Sequence, residues 1–349
     1  MKRRHFGKQL SIGALASLTG TGLWGSHSPQ PSQHKLIKPK RLKKGDTIGL
    51  ITPGSYIDDE SLEKAISNME EMGFLVKMGE HIRAERGFNA GTDKERLEDL
   101  HTMFADEEVA GIWCARGGYG CSRLLPMINY ELIKKHPKAL IGYSDITALL
   151  NAIQQETGLV GFHGPVAAST FTDYNRIHLD ALLMNPRPIH QIDMMETEPD
   201  AEKHNSFTPE VIRDGVAEGA LVGGNLSLLA AMIGTPYAID VKDKILFVEE
   251  IGEKPYRIDR MLTQMRQAYD LNQTAGILLG VFEDCQPKED DRSLSLMETL
   301  RDRLGDLKVP VLYGFSFGHI RNQCTLPVGI RARMNTAGGT VTLLEAGVE

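Results

Sequence analysis

Ser144 lies on a sharp turn between a short apolar run and an amphipathic segment, where its side chain could act as a nucleophile. Residues 139–141 predict a buried strand, and the apolar spacing in residues 146–156 predicts a helix. The first N–H groups of such a helix have no partner within it and can stabilise an oxyanion. The second glycine of a hydrolase nucleophile elbow is missing, because Ile146 occupies its position. The alternative is an ordinary strand-to-helix turn in which Ser144 or Asp145 caps the helix.

A glycine-rich loop, residues 116–120, follows another apolar run at residues 109–115. Successive glycines allow backbone N–H groups to converge on an anion. A dinucleotide site is not indicated, because the third glycine of that fingerprint is absent, and no Lys-Ser or Lys-Thr pair completes a phosphate loop. The loop is therefore either a plain turn or a contact to the oxyanion of a substrate held by Ser144.

Two carboxylates and two histidines occur at further predicted strand ends. Glu249 and Glu250 end an apolar strand, and strand alternation places their side chains on opposite faces, so at most one points into a given cleft. The sequence does not decide which one. His319 follows the apolar run 309–313, at the sheet edge where open α/β sheets bind ligands, and His163 is a rival at a similar place.

Ser144, Glu249 and His319 together supply the groups of a serine-hydrolase triad. The base needs an acceptor nitrogen towards the hydroxyl and a carboxylate that fixes the proton on its other nitrogen. Because the serine is in the first half of the chain and the histidine in the second, we expect the site in a cleft between two domains. No HExxH or other metal-ligand spacing occurs, so a metal hydrolase is not indicated.

The elements that must position these residues alternate between strand and helix. This order predicts a parallel, doubly wound sheet in the first half and an α/β second half with more hairpin character. The periodicity fades in residues 167–217, which we interpret as a linker or excursion. The predicted strands are 47–52, 74–78, 109–115, 139–141, 160–163, 219–225, 244–251, 275–282 and 309–318, with a hairpin at 330–344; the predicted helices start at Asp58, Thr92, Ile146, Leu226, Tyr256 and Ser293.

Length and composition fit a two-domain globular protein. The chain has 349 residues, enough for two cores at roughly 150 residues per domain. A net charge of −7 without a basic-aromatic patch argues against nucleic-acid binding. The cysteines have no CxxC or zinc-ribbon spacing; Cys114 and Cys121 could face each other across a loop, but we expect buried free thiols.

Residues 1–30 predict an export signal rather than part of the fold. Arg3 and Arg4 precede Phe6 and Lys8, and a weakly apolar stretch follows, a pattern similar to twin-arginine signals. A membrane anchor is the alternative, but the stretch is too short and glycine-rich to span well. We therefore expect an exported, periplasmic protein without a membrane span in its mature form, or a cytoplasmic one if the signal is not used.

An ordered set of motifs from about residue 42 to residue 333 resembles the LD-carboxypeptidases, serine peptidase family S66. Each motif alone is weak, but the ordered set is specific. They are Ala115–Gly120, Ile141–Thr147, Gly161–Pro165, Gly223–Leu226, Gly234–Pro236, Phe247–Glu250, Tyr256–Arg260 and Gly318–His319.

The resemblance implies a fold and a set of roles. It implies a flavodoxin-like N-terminal domain at residues 35–166 and a smaller mixed α/β C-terminal domain at 218–345, with the active site between them. Ser144 would be the nucleophile, Glu249 the orienting carboxylate and His319 the general base. The N–H groups of Gly118 and Asp145 would form the oxyanion hole. The resemblance also implies a homodimer that needs no metal or cofactor.

The activity implied is release of the terminal D-alanine from the tetrapeptide stem of peptidoglycan. An exopeptidase must also recognise the free carboxylate of its substrate, and Arg116 is the candidate for that contact. Two alternatives remain open. One is a microcin C7-type self-immunity hydrolase of the same family, which would cleave an amide in a peptide-nucleotide antibiotic. The other is an exported protein that binds a small ligand and cuts nothing.

Overall fold

The computed structural model describes residues 34–195, 208–288 and 291–349, so the predicted export signal lies outside the described residues. Within these ranges the strands are β1 (Thr47–Ile51), β2 (Leu75–Met78), β3 (Val109–Cys114), β4 (Ala139–Gly142), β5 (Gly161–His163), β6 (His190–Asp193), β7 (Glu210–Arg213), β8 (Val216–Asn225), β9 (Lys244–Ile251), β10 (Gly276–Glu283), β11 (Val311–Phe315), β12 (Leu326–Val328), β13 (Arg331–Asn335) and β14 (Thr340–Leu343). The α-helices are α1 (Asp59–Glu71), α2 (Asp93–Ala105), α3 (Tyr130–Lys135), α4 (Thr147–Thr157), α5 (Asp173–Leu179), α6 (Leu226–Met232), α7 (Pro255–Ala268) and α8 (Leu296–Leu304).

The described strands form two sheets. The first has the order β12-β5-β4-β3-β1-β2, in which β1 to β5 are parallel and β12 adds antiparallel to β5. The second has the order β6-β14-β13-β8-β9-β10-β11-β7, with a parallel centre of β8 to β11 and antiparallel strands on both sides. Parallel strands joined through helices place all their carboxyl ends at one edge, which is where ligands bind in such sheets.

The predicted helix ends depend on local hydrogen bonds that the structure contains. Asp58 caps α1 by accepting from the Ser61 N–H at 2.7 Å. Thr92 and Glu95 form a capping box at the start of α2, where the sequence predicts that a helix begins. Helix α4 ends at Gly158, whose φ of +81° is a left-handed conformation that glycine adopts without a Cβ clash. The predicted helix starts at Asp58 and Thr92 are therefore confirmed.

The interpretation of residues 167–217 as a linker or excursion needs correction. This range contains α5, and β6 and β7 are edge strands of the second sheet, on opposite sides of it. Both strands are short and half exposed, so they lack the continuous apolar run of a buried strand. β12 was also not predicted: it comes from the second half of the chain but completes the first sheet.

One hydrophobic core connects the two sheets. Leu149 of α4 belongs to the same buried cluster as Leu221 of β8 and Phe247 of β9. Burying a side chain of this size contributes about 1.5–3 kcal/mol. The helix that follows Ser144 packs on β8, the neighbour of the strand that carries Glu249.

Hydrogen bonds fix this packing in register. The Thr147 hydroxyl accepts from the Asn225 N–H at 3.0 Å, and the Asn151 amide donates to the Gly223 carbonyl at 2.8 Å. A Cβ on Gly224 would lie 2.4 Å from the Thr147 hydroxyl oxygen, so only glycine permits this approach. The start of α4 and the end of β8, which lies beside β9, are thus held in fixed relative positions.

Candidate active site

Ser144 stands at the carboxyl end of β4 in a strained backbone conformation. Its φ of +63° is uncommon for a residue other than glycine and costs of order 1–3 kcal/mol. A short 3-10 segment, Ser144–Ile146, leads into α4. Ile146 occupies the position of the missing second glycine, and its side chain is wholly buried. Gly142 leaves room for it, because a Cβ on Gly142 would lie 2.9 Å from the Ile146 side chain. The turn therefore requires glycine at position 142, two residues before Ser144.

The glycine-rich loop lies against Ser144. A Cβ on Gly117 would be 3.0 Å from the Ser144 Cβ, so the two backbones are in close contact. Gly118 has a φ of +99°, and its N–H has no hydrogen-bond partner among the residues that the structure describes. The N–H of Asp145 is in the first turn of a helical segment, where no intrahelical acceptor exists. Both predicted oxyanion donors thus lie next to the serine, on two loops that touch.

The Asp145 side chain joins these loops. It is 1% exposed, and its Oδ2 accepts from the Cys121 N–H at 2.9 Å. A Cβ on Gly54, in the loop after β1, would lie 2.9 Å from the same oxygen. A buried carboxylate that accepts a backbone N–H fixes that backbone strongly, because losing the acceptor would leave a buried donor unpaired. Asp145 therefore positions the glycine-rich loop relative to Ser144, a role that the sequence analysis did not predict.

Glu249 and His319 are in direct contact. The Nδ1 atom of His319 lies 2.7 Å from Oε2 of Glu249, the length of a charge-assisted hydrogen bond. Glu249 is completely buried, whereas 14% of the His319 side chain is exposed. Gly318, with a φ of +115°, lets the chain pass close to Glu249, since a Cβ there would be 3.0 Å from the Glu249 Cβ.

The pKa values of the pair move in opposite directions. Burial raises the pKa of Glu249, but its attraction to His319 and the hydrogen bond between them outweigh this, so the pKa lies below its ordinary value. Burial lowers the pKa of His319, but the Glu249 carboxylate more than offsets this, so that pKa lies above its ordinary value. The carboxylate thus stabilises a proton on His319.

A tyrosine connects this pair with the serine. The ring of Tyr143, the residue before Ser144, lies 4.8 Å from the His319 ring, measured between centroids. Tyr143 comes from the first sheet and His319 from the segment after β11 in the second. The residue next to Ser144 in the chain therefore lies against the histidine that Glu249 contacts.

The two glutamates face different partners, as strand alternation predicts. Glu250 accepts from the Asn225 amide at 3.0 Å, from the Ser227 N–H at 2.8 Å and from the Ser227 hydroxyl at 2.7 Å. Burial raises its pKa. Glu250 therefore binds the N-terminus of α6, and Glu249 is the carboxylate that faces the histidine.

His163 does not have the surroundings of a triad base. It is completely buried among the rings of Tyr143, Phe247 and Phe317, at centroid distances of 5.3 to 6.1 Å. Neither ring nitrogen has a hydrogen-bond partner among the described residues, and burial lowers its pKa to about 4. A neutral histidine without an orienting carboxylate is a packing residue here.

Arg116 points towards the loop after β1. Its guanidinium donates to the Tyr56 carbonyl at 2.8 Å, and the side chain is half exposed. Arginine has five N–H donors, so this contact leaves others for a ligand.

Other binding chemistries have few supporting features in residues 34–195, 208–288 and 291–349. No group of three or more metal-ligating side chains occurs there, and no helix in these ranges is long and apolar enough to cross a membrane. All four cysteines are free and buried, which confirms that expectation; Cys114 and Cys121 are not bonded to each other.

Family models match both halves of the chain. The model of the LD-carboxypeptidase N-terminal domain matches residues 48–164, and the model of the LD-carboxypeptidase C-terminal domain matches residues 218–334.

Individual relatives match over most of their length. A probable murein peptide carboxypeptidase of Bacillus subtilis is 45% identical over 311 residues, which cover 89% of this chain and 95% of that protein. The microcin C7 self-immunity protein of Escherichia coli is 26% identical over 330 residues, covering 87% of this chain and 94% of that protein. The crystal structure of muramoyltetrapeptide carboxypeptidase from Oxalobacter formigenes superimposes with a TM-score of 0.73 at 31% identity, covering 85% of this chain and 97% of that one. The predicted fold, a parallel first sheet and a mixed second sheet, is thereby confirmed.

Proposed function

The chain belongs to the LD-carboxypeptidase family, and on that premise we propose that it is a serine L,D-carboxypeptidase that releases the terminal D-alanine from peptidoglycan tetrapeptide stems. The observation that carries the proposal is the 2.7 Å contact between His319 and a buried carboxylate, beside a strained serine. The carboxypeptidase names of the B. subtilis and O. formigenes relatives support the substrate class.

In the proposed reaction the Ser144 hydroxyl attacks the carbonyl that precedes the terminal D-alanine. His319 takes the hydroxyl proton on Nε2 and later gives it to the leaving amine. Glu249 holds the other proton on Nδ1, so that Nε2 is the free acceptor, and it stabilises the imidazolium that forms. Water then hydrolyses the acyl-enzyme with His319 as the base.

The N–H groups of Gly118 and Asp145 are proposed to hold the oxyanion of the tetrahedral intermediate. Loss of one such donor typically costs about 2.7–4 kcal/mol of transition-state stabilisation. Their support is the free N–H of Gly118 and the helix-start position of Asp145. The backbone of both loops is fixed by the Asp145 carboxylate, so the donors would need no rearrangement during the reaction.

Arg116 is proposed to bind the free carboxylate of the substrate. Arg116 belongs to the same glycine-rich loop that would carry the oxyanion donor Gly118. An Arg–carboxylate pair is both strong and directional. The Tyr56 carbonyl would hold one end of the guanidinium in place.

Further parts of the proposal concern assembly and location. We propose that the protein is a homodimer and that residues 1–30 direct its export to the periplasm, with the cytoplasm as its location if the signal is not used. Size measurement of the purified protein and fractionation of expressing cells test these points.

The assay is incubation of the purified protein with a tetrapeptide stem, followed by quantification of free D-alanine. We expect release by the parent and none by the Ser144→Ala variant, which keeps every backbone donor. An alanine variant as active as the parent would disprove the assignment. A fluorophosphonate probe should label Ser144 in a hydrolase of either kind and leave a mere binding protein unlabelled.

The second candidate is the self-immunity hydrolase, favoured by the match to the E. coli protein at 26% identity. It would use the same catalytic groups on a peptide-nucleotide amide. Cleavage of such an amide without D-alanine release from tetrapeptide would select this alternative.

A further inference from the structure

Arg96 is a charged residue in the interior of the protein, below the glycine-rich loop. It belongs to α2, and only 2% of it is exposed. Its guanidinium pairs with Asp93 one turn earlier in the helix and donates through Nη1 to the Pro53 carbonyl at 2.6 Å. Taking a guanidinium out of water is costly unless opposite charge and hydrogen bonds compensate it. Asp93 offsets this cost only in part, because it also binds Arg123 and because Nε of Arg96 has no partner among the described residues.

The Arg96 guanidinium contacts two loops at the catalytic edge of the first sheet. Pro53, whose carbonyl it binds, is in the loop after β1. The glycine-rich loop crosses directly over the same group, since a Cβ on Gly120 would lie 2.6 Å from Nη1. Gly120 also has a φ of +123°, a conformation that favours glycine. One rigid, planar side chain therefore sets the position of both loops.

The loop after β1 in turn holds the peptide group that would carry an oxyanion donor. The Ser55 N–H donates to the Gly117 carbonyl at 3.1 Å, and the Tyr119 N–H donates to the Ser55 hydroxyl at 3.1 Å. No peptide bond is cis in the part of the chain that the structure describes. The Gly117 carbonyl and the Gly118 N–H therefore lie in one plane and point in opposite directions. The hydrogen bond from Ser55 thus fixes the direction of the Gly118 N–H.

We propose that Arg96 is a positioning residue of the oxyanion hole. It holds the Pro53 carbonyl, the loop after β1 holds the Gly117 carbonyl, and the plane of that peptide group directs the Gly118 N–H. A donor in an oxyanion hole is effective when its direction is fixed before the negative charge develops. The inference rests on the proposed function and adds to it a residue that acts through two loops instead of on the substrate.

The test compares three variants in the D-alanine release assay. Arg96→Met removes the donors and keeps an apolar stem, whereas Arg96→Lys keeps the charge and a donor for the Pro53 carbonyl. The control is Arg123→Met, because Arg123 binds the same Asp93 carboxylate through a half-exposed side chain. Arg96→Met should lower kcat about 10- to 100-fold and leave KM within about threefold, because the misdirected donor is used mainly in the transition state. Arg96→Lys should have an intermediate kcat, and Arg123→Met should keep the kcat and KM of the parent.

A purely structural role for Arg96 predicts other results. A parental kcat in Arg96→Met, or a rise in KM that accounts for the whole loss of kcat/KM, would overturn the proposal. An equal loss of kcat in Arg123→Met would assign the effect to Asp93 and would also overturn it. Circular dichroism of each variant establishes whether it is folded. If neither Arg96 variant folds, the residue belongs to the stability of the fold and the positioning role is refuted.

The crystal structure of Arg96→Met separates this inference from the proposed function. We expect the 3.1 Å hydrogen bond between Ser55 and the Gly117 carbonyl to be lost and the peptide group to be rotated. If that bond and the plane of the peptide group are unchanged, the positioning role is refuted even if the variant is slow. If the parent releases no D-alanine, the proposed function fails, and the crystal structure still decides whether Arg96 fixes this peptide group.

Discussion

Replacing Glu249 by glutamine tests the physical basis of the proposed triad. The substitution keeps the size of the side chain and removes its charge at a site with no solvent exposure. Glutamine can accept from His319 through its oxygen or face it with its amide group, and the second orientation places the imidazole proton on the wrong nitrogen. The hydrogen bond that is lost joins atoms 2.7 Å apart and involves a charge.

The magnitude follows from that contact. A hydrogen bond to a charged group is worth about 1.5–3 kcal/mol. If this bond stabilises the transition state but not the bound substrate, its loss lowers the rate roughly ten- to 150-fold. The wrong tautomer adds to this, and a corresponding change in another serine protease costs about 10⁴-fold. We therefore expect kcat/KM for D-alanine release to fall between about 10²- and 10⁴-fold.

The pH dependence gives a second readout. His319 is active when it is deprotonated, so the acid limb of kcat/KM reports its pKa in the free enzyme. Glu249 raises that pKa. Without the carboxylate the pKa falls, and the acid limb of the residual activity should move to lower pH.

The control is Glu250→Gln, which changes the neighbouring carboxylate that binds α6 instead of the histidine. It should move the acid limb to lower pH by less than Glu249→Gln does, because Glu249 contributes more than Glu250 to the raised pKa of His319. If Glu249→Gln keeps its rate within about threefold of the parent, or leaves the acid limb unmoved, the triad argument is refuted.

Three further predictions concern the backbone and the second carboxylate. Ser144→Gly should abolish D-alanine release. The same change should raise the free energy of unfolding in urea by about 1 kcal/mol, because glycine removes the strain at positive φ. A loss of stability would contradict the strain argument. Gly117→Ala should lower kcat by about 10²-fold with little change in Tm, because the alanine Cβ would lie 3.0 Å from the Ser144 Cβ and displace the serine. An unchanged kcat would show that this contact is unimportant. Glu250→Gln should lower the free energy of unfolding by about 1–3 kcal/mol, because one amide group would face the donors of Ser227 and Asn225; unaltered denaturation would refute that role.

Local patterns predicted the parts of the fold that depend on neighbouring residues. The capping box at Thr92, the cap at Asp58 and the left-handed Gly158 each act within one helical turn, so their residues are close in the sequence. The edge strands β6 and β7 were missed because they are half exposed and acquire their structure by pairing with distant strands. Such pairing leaves little trace in a four-residue segment.

The amino-acid sequence by itself determined which side chains are available for chemistry and that each stands at a strand end. The ordered motifs were sufficient to indicate the family. The sequence could not determine which of Glu249 and Glu250 faces the histidine. Strand alternation places the two side chains on opposite faces of the sheet, but it does not determine which face is buried against the other half of the chain. Only the tertiary structure decided this, by packing α4 on β8 and placing Tyr143 against His319. The physical reason is that these contacts join residues far apart in the chain, and their geometry exists only when both sheets share one core.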